Sequence, residues 1–136
     1  MGTWSHEPFG NDTANDWAYG LEETKDMSFI ESALDRVIEQ SGDYLEAPEA
    51  EEAIAAIEVI AKLLGRGSQS DAYTEKVDEW VASITEKPNV ELLQKAQRVI
   101  ARILAEDSEL LDLWQEGDEP QLWTASMDHL KAAVAN

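Results

Sequence analysis

Proton or metal chemistry in this chain would start from His6, Glu7, Asp12 and Asp16, where a histidine and three carboxylates fall within eleven residues. Asp12 and Asp16 stand one helical turn apart. Carboxylates at that spacing share a face, where they can hold a cation or share a proton, so a site near these four residues is the enzymatic or metal-binding alternative. The plainer use of the two aspartates is to place negative charge on the positive end of a helix. His129 is the second and last histidine. No H-x-x-x-H pair exists for zinc, and a nucleophile–base–acid set would have to draw on His6 or His129. Zero cysteine removes thiol catalysis, thiolate metal sites and disulfides together. Gly65-Arg66-Gly67-Ser68 lacks the G-K-[ST] of a phosphate loop and reads as a helix stop. No cofactor is implied, and catalysis is not the leading expectation.

The 136 residues include 29 acidic and 10 basic side chains, for a formal charge of −19, with 43% apolar residues. This composition suits one acidic domain spanning residues 1–136. A chain of this size hides roughly two-thirds of its surface on folding, enough for a core without staples. The charge argues against nucleic acid phosphates and anionic membranes as partners, because like charges repel throughout the approach. A basic protein is the partner the charge allows. No apolar run reaches the roughly 18 residues of a membrane span, and the opening residues lack the pattern of a signal peptide, so a cytoplasmic protein is expected. The sequence leaves oligomeric state open.

The acid is unevenly placed. Glu106, Asp107, Glu109, Asp112, Glu116, Asp118 and Glu119 follow one another with no cation between them, whereas residues 71–105 are nearly neutral. Such a run is either a solvated face that keeps the domain soluble or a docking surface for a basic partner. It does not form an EF-hand loop. DNA mimicry would need a regular, elongated array of carboxylates, which the near-neutral segment interrupts.

Apolar residues recur with a helical period in nearly every segment, and strand alternation is absent, which predicts an all-helical fold, a compact irregular bundle of six or seven helices. The first runs from about Asp12 to Glu22 with Asn11 as its cap, Ala14, Trp17, Ala18 and Leu21 facing inward, and Gly20 weakening its last turn. The second starts at Ser28 in a capping box with Glu31 and ends at Gly42. Pro48 opens a third, whose Ala53–Leu64 stretch is apolar except for Glu58 and Lys62, spaced to pair. A helix so apolar around its circumference belongs at the centre. A fourth carries Tyr73, Val77, Trp80, Val81 and Ile84, Asn89 caps a fifth, Ser108 a sixth, and Pro120 opens the last. Val59–Leu64 echoes Val99–Leu104, but a single echo is too little for a repeat protein.

Five tryptophans are many for this length, and helical spacing assigns most of them to the core. Trp123 beside Leu122 is the exception, a candidate for partner contact. Trp4 and Phe9 precede any helix, and two large aromatics are costly to leave in water. The N-terminal segment is therefore expected to fold back on the bundle, with Pro8 stiffening the turn.

That segment also carries a resemblance. Met1-Gly2-Thr3-Trp4, Pro8-Phe9-Gly10-Asn11-Asp12, Ala14 and Asp16-Trp17 resemble the opening of the bacterial family called domain of unknown function 4259. The run Asp107–Trp114 and the later Trp123 resemble the same family near its C-terminus. Where many members have a glycine-containing stretch between the first Trp and the Phe, this chain has Ser5-His6-Glu7-Pro8. The resemblance implies a small, single-domain, cytosolic bacterial protein with no assigned activity. Its motif falls on Trp4, Phe9, Asn11, Asp12, Asp16 and Trp17, as a binding site or as a structural clasp.

Overall fold

From Ala53 to Leu63 every residue except Lys62 is buried. In the computed structural model, which describes residues 3–40 and 43–135, this stretch forms most of helix α3 (Ala47–Leu63). Around it lie α1 (Asp12–Glu22), α2 (Ser28–Glu39), α4 (Glu75–Ser83), α5 (Val90–Ile103), α6 (Glu109–Gln115) and α7 (Pro120–Ala133), with a 3-10 turn at Ala72–Thr74 leading into α4. Every one of these helices contacts α3, and α2 also packs on α1 and α5. The described residues contain no strand, only two isolated bridges. The fold is thus all-helical, built around a central helix as its apolar circumference requires. None of the described helices is long and apolar enough to cross a membrane.

The start of each helix shows which local rules prevailed. Asn11 caps α1, its Oδ1 accepting the Ala14 N–H at 2.7 Å, and Asn89 caps α5 by accepting from Leu92 at 2.8 Å. The capping box expected at Ser28 does not form. Asp26 takes both the N–H and the hydroxyl of Ser28, at 3.0 and 2.6 Å, so the hydroxyl is spent on a carboxylate instead of the helix end. The expected helix stop at Gly42 lies outside the described residues.

Ser108 also fails to cap with its side chain, and its Oγ is buried without a partner among the described residues. The neighbouring Glu109 reaches across instead, its Oε1 accepting the Ala47 N–H at the start of α3 at 2.8 Å. Leu45 and Ser108 form a parallel bridge there, closed by Leu45 N–H to Asp107 O and Glu109 N–H to Leu45 O. The N-termini of α3 and α6 are therefore tied together. Gly20, expected only to weaken α1, has a packing role. A Cβ there would meet the Phe29 ring at 2.4 Å, and that ring stacks on Trp17 with centroids 5.1 Å apart.

The two echoing runs bury the same three positions, Val59, Ile60 and Leu63 in α3 and Val99, Ile100 and Ile103 in α5. Ala61 is buried and Ala101 exposed, because α3 is enclosed on all sides and α5 on one. Tyr73, expected on the fourth helix, lies instead in the 3-10 turn before it and is half exposed.

Candidate functional site

Residues 3–11 close on themselves as a small clasp. Thr3 bridges Asn11, the Trp4 and Ser5 N–H groups donate to the Gly10 carbonyl at 2.9 and 3.2 Å, and Gly10 N–H returns to Glu7 O at 2.9 Å. The clasp is held down by Phe9, which is fully buried. The Phe9 N–H donates to Gln69 Oε1 at 2.8 Å, and Asn15 Nδ2 donates to the carbonyls of Phe9 and Asn11. Trp4 is not the anchor expected of it. It remains 46% exposed and leans on Tyr73, with ring centroids 5.1 Å apart at 41°.

Gln69 is fixed in turn by Glu58. This carboxylate, wholly buried on α3, accepts the N–H groups of Ser68 and Gln69, both at 2.8 Å, and the Ser68 hydroxyl at 2.9 Å. Burial pushes the Glu58 carboxyl above its ordinary range, and the bonds from Gln69 and Ser68 together with the Lys62 charge offset only part of that. The expected Glu58–Lys62 pair is the weaker contact for both residues, at 4.0 Å. Lys62 turns to the Gln69 carbonyl and to Asp78 at 2.7 Å, because the loop amides already occupy the carboxylate.

Against the clasp lies the corner between α6 and α7. Together they form an open groove of about 360 Å³, with Trp4 and His6 on one wall and Trp114, Asp118, Glu119 and Leu122 on the other. A narrow cleft below it, with room for about one water, reaches Glu51, Asn11 and Trp123. Burial raises the Glu51 carboxyl above its ordinary range, the Thr13 and Thr3 hydroxyls pull it back, and the Glu109 charge adds to the rise.

The remaining sequence candidates divide clearly. Trp17 is buried and Asn11 serves as a cap, so both belong to the framework. Asp12 and Asp16 lie exposed on α1. Among the described residues no three His, Asp or Glu side chains come together as a metal site. Trp123, the candidate for partner contact, is 3% exposed and stacked at 4° on Trp114. It is Leu122 that faces out, at 39% exposure, since consecutive helical residues point about 100° apart and the core takes the larger ring.

In the acidic run Glu106, Asp107, Asp112, Glu116, Asp118 and Glu119 are exposed, while Glu109 is half-buried at the α3 cap. The ion pairs of the described residues involve other carboxylates: Glu52 with Arg36, Glu58 and Asp78 with Lys62, Glu31 and Asp35 with Lys95. Sequence reasoning missed Gln69, Glu51 and the outward Tyr73. Glu58 carried a signal, since one acid in an otherwise apolar stretch must find donors, but its partners lie in a loop with no pattern to announce them.

The molecule is therefore a small all-helical protein with an N-terminal clasp seated on its bundle beside an acidic corner. Over residues 2–126 the chain matches the family described as Domain of unknown function (DUF4259), and it belongs to that family. No curated protein and no solved structure matches it.

Proposed function

We propose that the chain is a non-catalytic protein-binding module that engages a basic partner through the face built by α6, α7 and the clasp. The observation that supports this most is the state of the acidic run. Six of its carboxylates are exposed, none is neutralised by an ion pair among the described residues, and two leucines are exposed on the same pair of helices, Leu113 on α6 at 55% and Leu122 on α7 at 39%. Unpaired charge of one sign steers an oppositely charged protein, and exposed leucines add apolar area to bury once it docks. Neutralisation of a basic toxin by an immunity-type protein is one concrete form of this function, since a carboxylate face can cover a cationic active site.

The test compares the immobilised protein with a variant in which Asp112, Glu116, Asp118 and Glu119 are changed to their amides. Retention by the native protein alone of a defined basic protein, released by moderate salt, is the expected result. Retained proteins no more basic than the lysate, or equal retention by the variant, would overturn the reading.

A further inference from the structure

The groove beside the clasp has a more specific chemistry than negative charge. We propose that it receives an arginine side chain of the docking partner, with the guanidinium lying against Trp4 and paired with Asp118 or Glu119. This rests on the protein-binding reading above and names the group recognised.

Trp4 is a fixed platform. Its backbone is bonded to Gly10, Tyr73 supports its ring, and nearly half its surface is left open. An indole is the strongest aromatic partner for a cation. Asp118 and Glu119 share the groove with it, are exposed, and take part in no ion pair among the described residues. Trp114 and Leu122 supply apolar surface for the aliphatic part of a long side chain. The groove's volume, about 360 Å³, is at the lower end for a ligand site, and the groove is open, which suits one inserted side chain better than an enclosed small molecule. The protein already holds a cation in this manner elsewhere, with Lys76 Nζ 3.3 Å from the centre of the Tyr19 ring.

Arginine satisfies both walls where lysine satisfies one. A guanidinium stacks by its face on an aromatic ring while its edge donates paired hydrogen bonds to a carboxylate. An ammonium is a compact, strongly hydrated point charge: it can sit over a ring, as Lys76 does over Tyr19, or meet a carboxylate, but it has no flat face to stack while an edge donates paired bonds.

The experiment follows indole and amide resonances of the isotope-labelled protein at low salt while a capped Gly-Arg-Gly-Arg-Gly peptide is added, with lysine and citrulline versions as controls. The expected result is movement of the Trp4 indole N–H and of the Asp118–Leu122 amides. Affinity should be at least about threefold higher for the arginine peptide than for lysine, with no response to citrulline. Trp4→Leu and the double change Asp118→Asn, Glu119→Gln should each weaken the arginine peptide about threefold or more. The double change leaves the clasp intact, so it tests the groove even if Trp4→Leu loosens the segment. Equal binding of arginine and lysine, or shifts confined to residues 106–116, would overturn the arginine site while leaving the acidic docking face standing. No shift with any peptide would also overturn it, and the retention experiment would then decide the broader reading alone.

Discussion

Glu58 Oε2 and the Gln69 N–H meet at 2.8 Å, eleven residues apart in sequence and wholly inside the protein. Through this bond the central helix fixes the loop after it, and through Gln69 Oε1 and the Phe9 N–H it fixes the clasp. Glu58→Ala would leave the Ser68 and Gln69 amides without an acceptor, at about 1–3 kcal/mol for the buried Gln69 donor and less for the part-buried Ser68 one. Glu58→Gln keeps an acceptor oxygen where the two amides converge and offers its NH₂ to the Ser68 hydroxyl, so its stability should stay within about 1 kcal/mol of the native protein. Urea unfolding measures both. A loss for Ala no larger than for Gln would show that the hydrogen bonds do not hold the loop.

The same carboxylate sets a pH dependence. A carboxyl whose pKa is raised on folding binds its proton more tightly in the native state. Stability is therefore highest where Glu58 is protonated, and it is lost as pH rises from the ordinary glutamate value of 4.5 through the raised native one. Glu51 acts in the same direction. Asp26 is lowered by the Ser28 hydroxyl and N–H, so its contribution is present above 3.8 and is lost only as pH falls below that. The urea midpoint should rise as pH is brought down from neutral towards 4.5, and the rise should be shallower in Glu58→Gln. A midpoint that falls throughout this range would contradict the assigned shifts.

Ser108 and Asn89 occupy equivalent positions before α6 and α5, yet only the Asn89 side chain bonds to its helix. Asn89→Ala should cost about 1 kcal/mol, the usual loss on removing a working cap. Ser108→Ala removes a buried hydroxyl that has no partner among the described residues, and it should be neutral or stabilising. Thermal unfolding of the two variants distinguishes them, and equal losses would mean that Ser108 caps in solution.

These contrasts show what the chain makes legible. Asn11 and Asn89 cap as expected because an N-cap is a local bond, made within three residues of its origin. The central place of α3 was legible because its apolar circumference leaves no face for water. Glu109 capping Ala47 and Gln69 accepting from Phe9 were illegible, since each joins segments some sixty residues apart that meet only once the bundle has formed. The groove is of the same kind. Trp4 and Glu119 are both visible as residue types, but nothing in their spacing puts them on one groove.

Gly10 tests the clasp directly. A Cβ at this position would stand 2.2 Å from the Ser5 Oγ and 2.9 Å from the Ser5 carbonyl oxygen, and the second of these is backbone that cannot swing aside. Gly10→Ala should force apart the bonds from Trp4 and Ser5 to the Gly10 carbonyl, at a cost of about 1–3 kcal/mol, and speed amide exchange at Phe9. Trp4 should become more accessible to a neutral quencher such as acrylamide, while Trp17, Trp80 and Trp123 stay protected in the core. Unchanged exchange at Phe9 would show that the clasp tolerates the methyl group and that its turn is looser than the bonding pattern requires.

Salt should stabilise this protein, and the acidic run should account for much of the effect. With a net charge of −19, like charges repel across the surface, and about 0.15 M salt shortens the reach of that repulsion to roughly 8 Å. The repulsion is least compensated from Glu106 to Glu119, where no cation interrupts the carboxylates, whereas the nearly neutral 71–105 segment contributes little. The melting temperature should therefore rise between low and moderate ionic strength, and the rise should shrink in the variant with amides at positions 112, 116, 118 and 119. A response equal in the two proteins would assign the repulsion to carboxylates elsewhere, and the face proposed for docking would then carry no special electrostatic strain to be relieved by a basic partner.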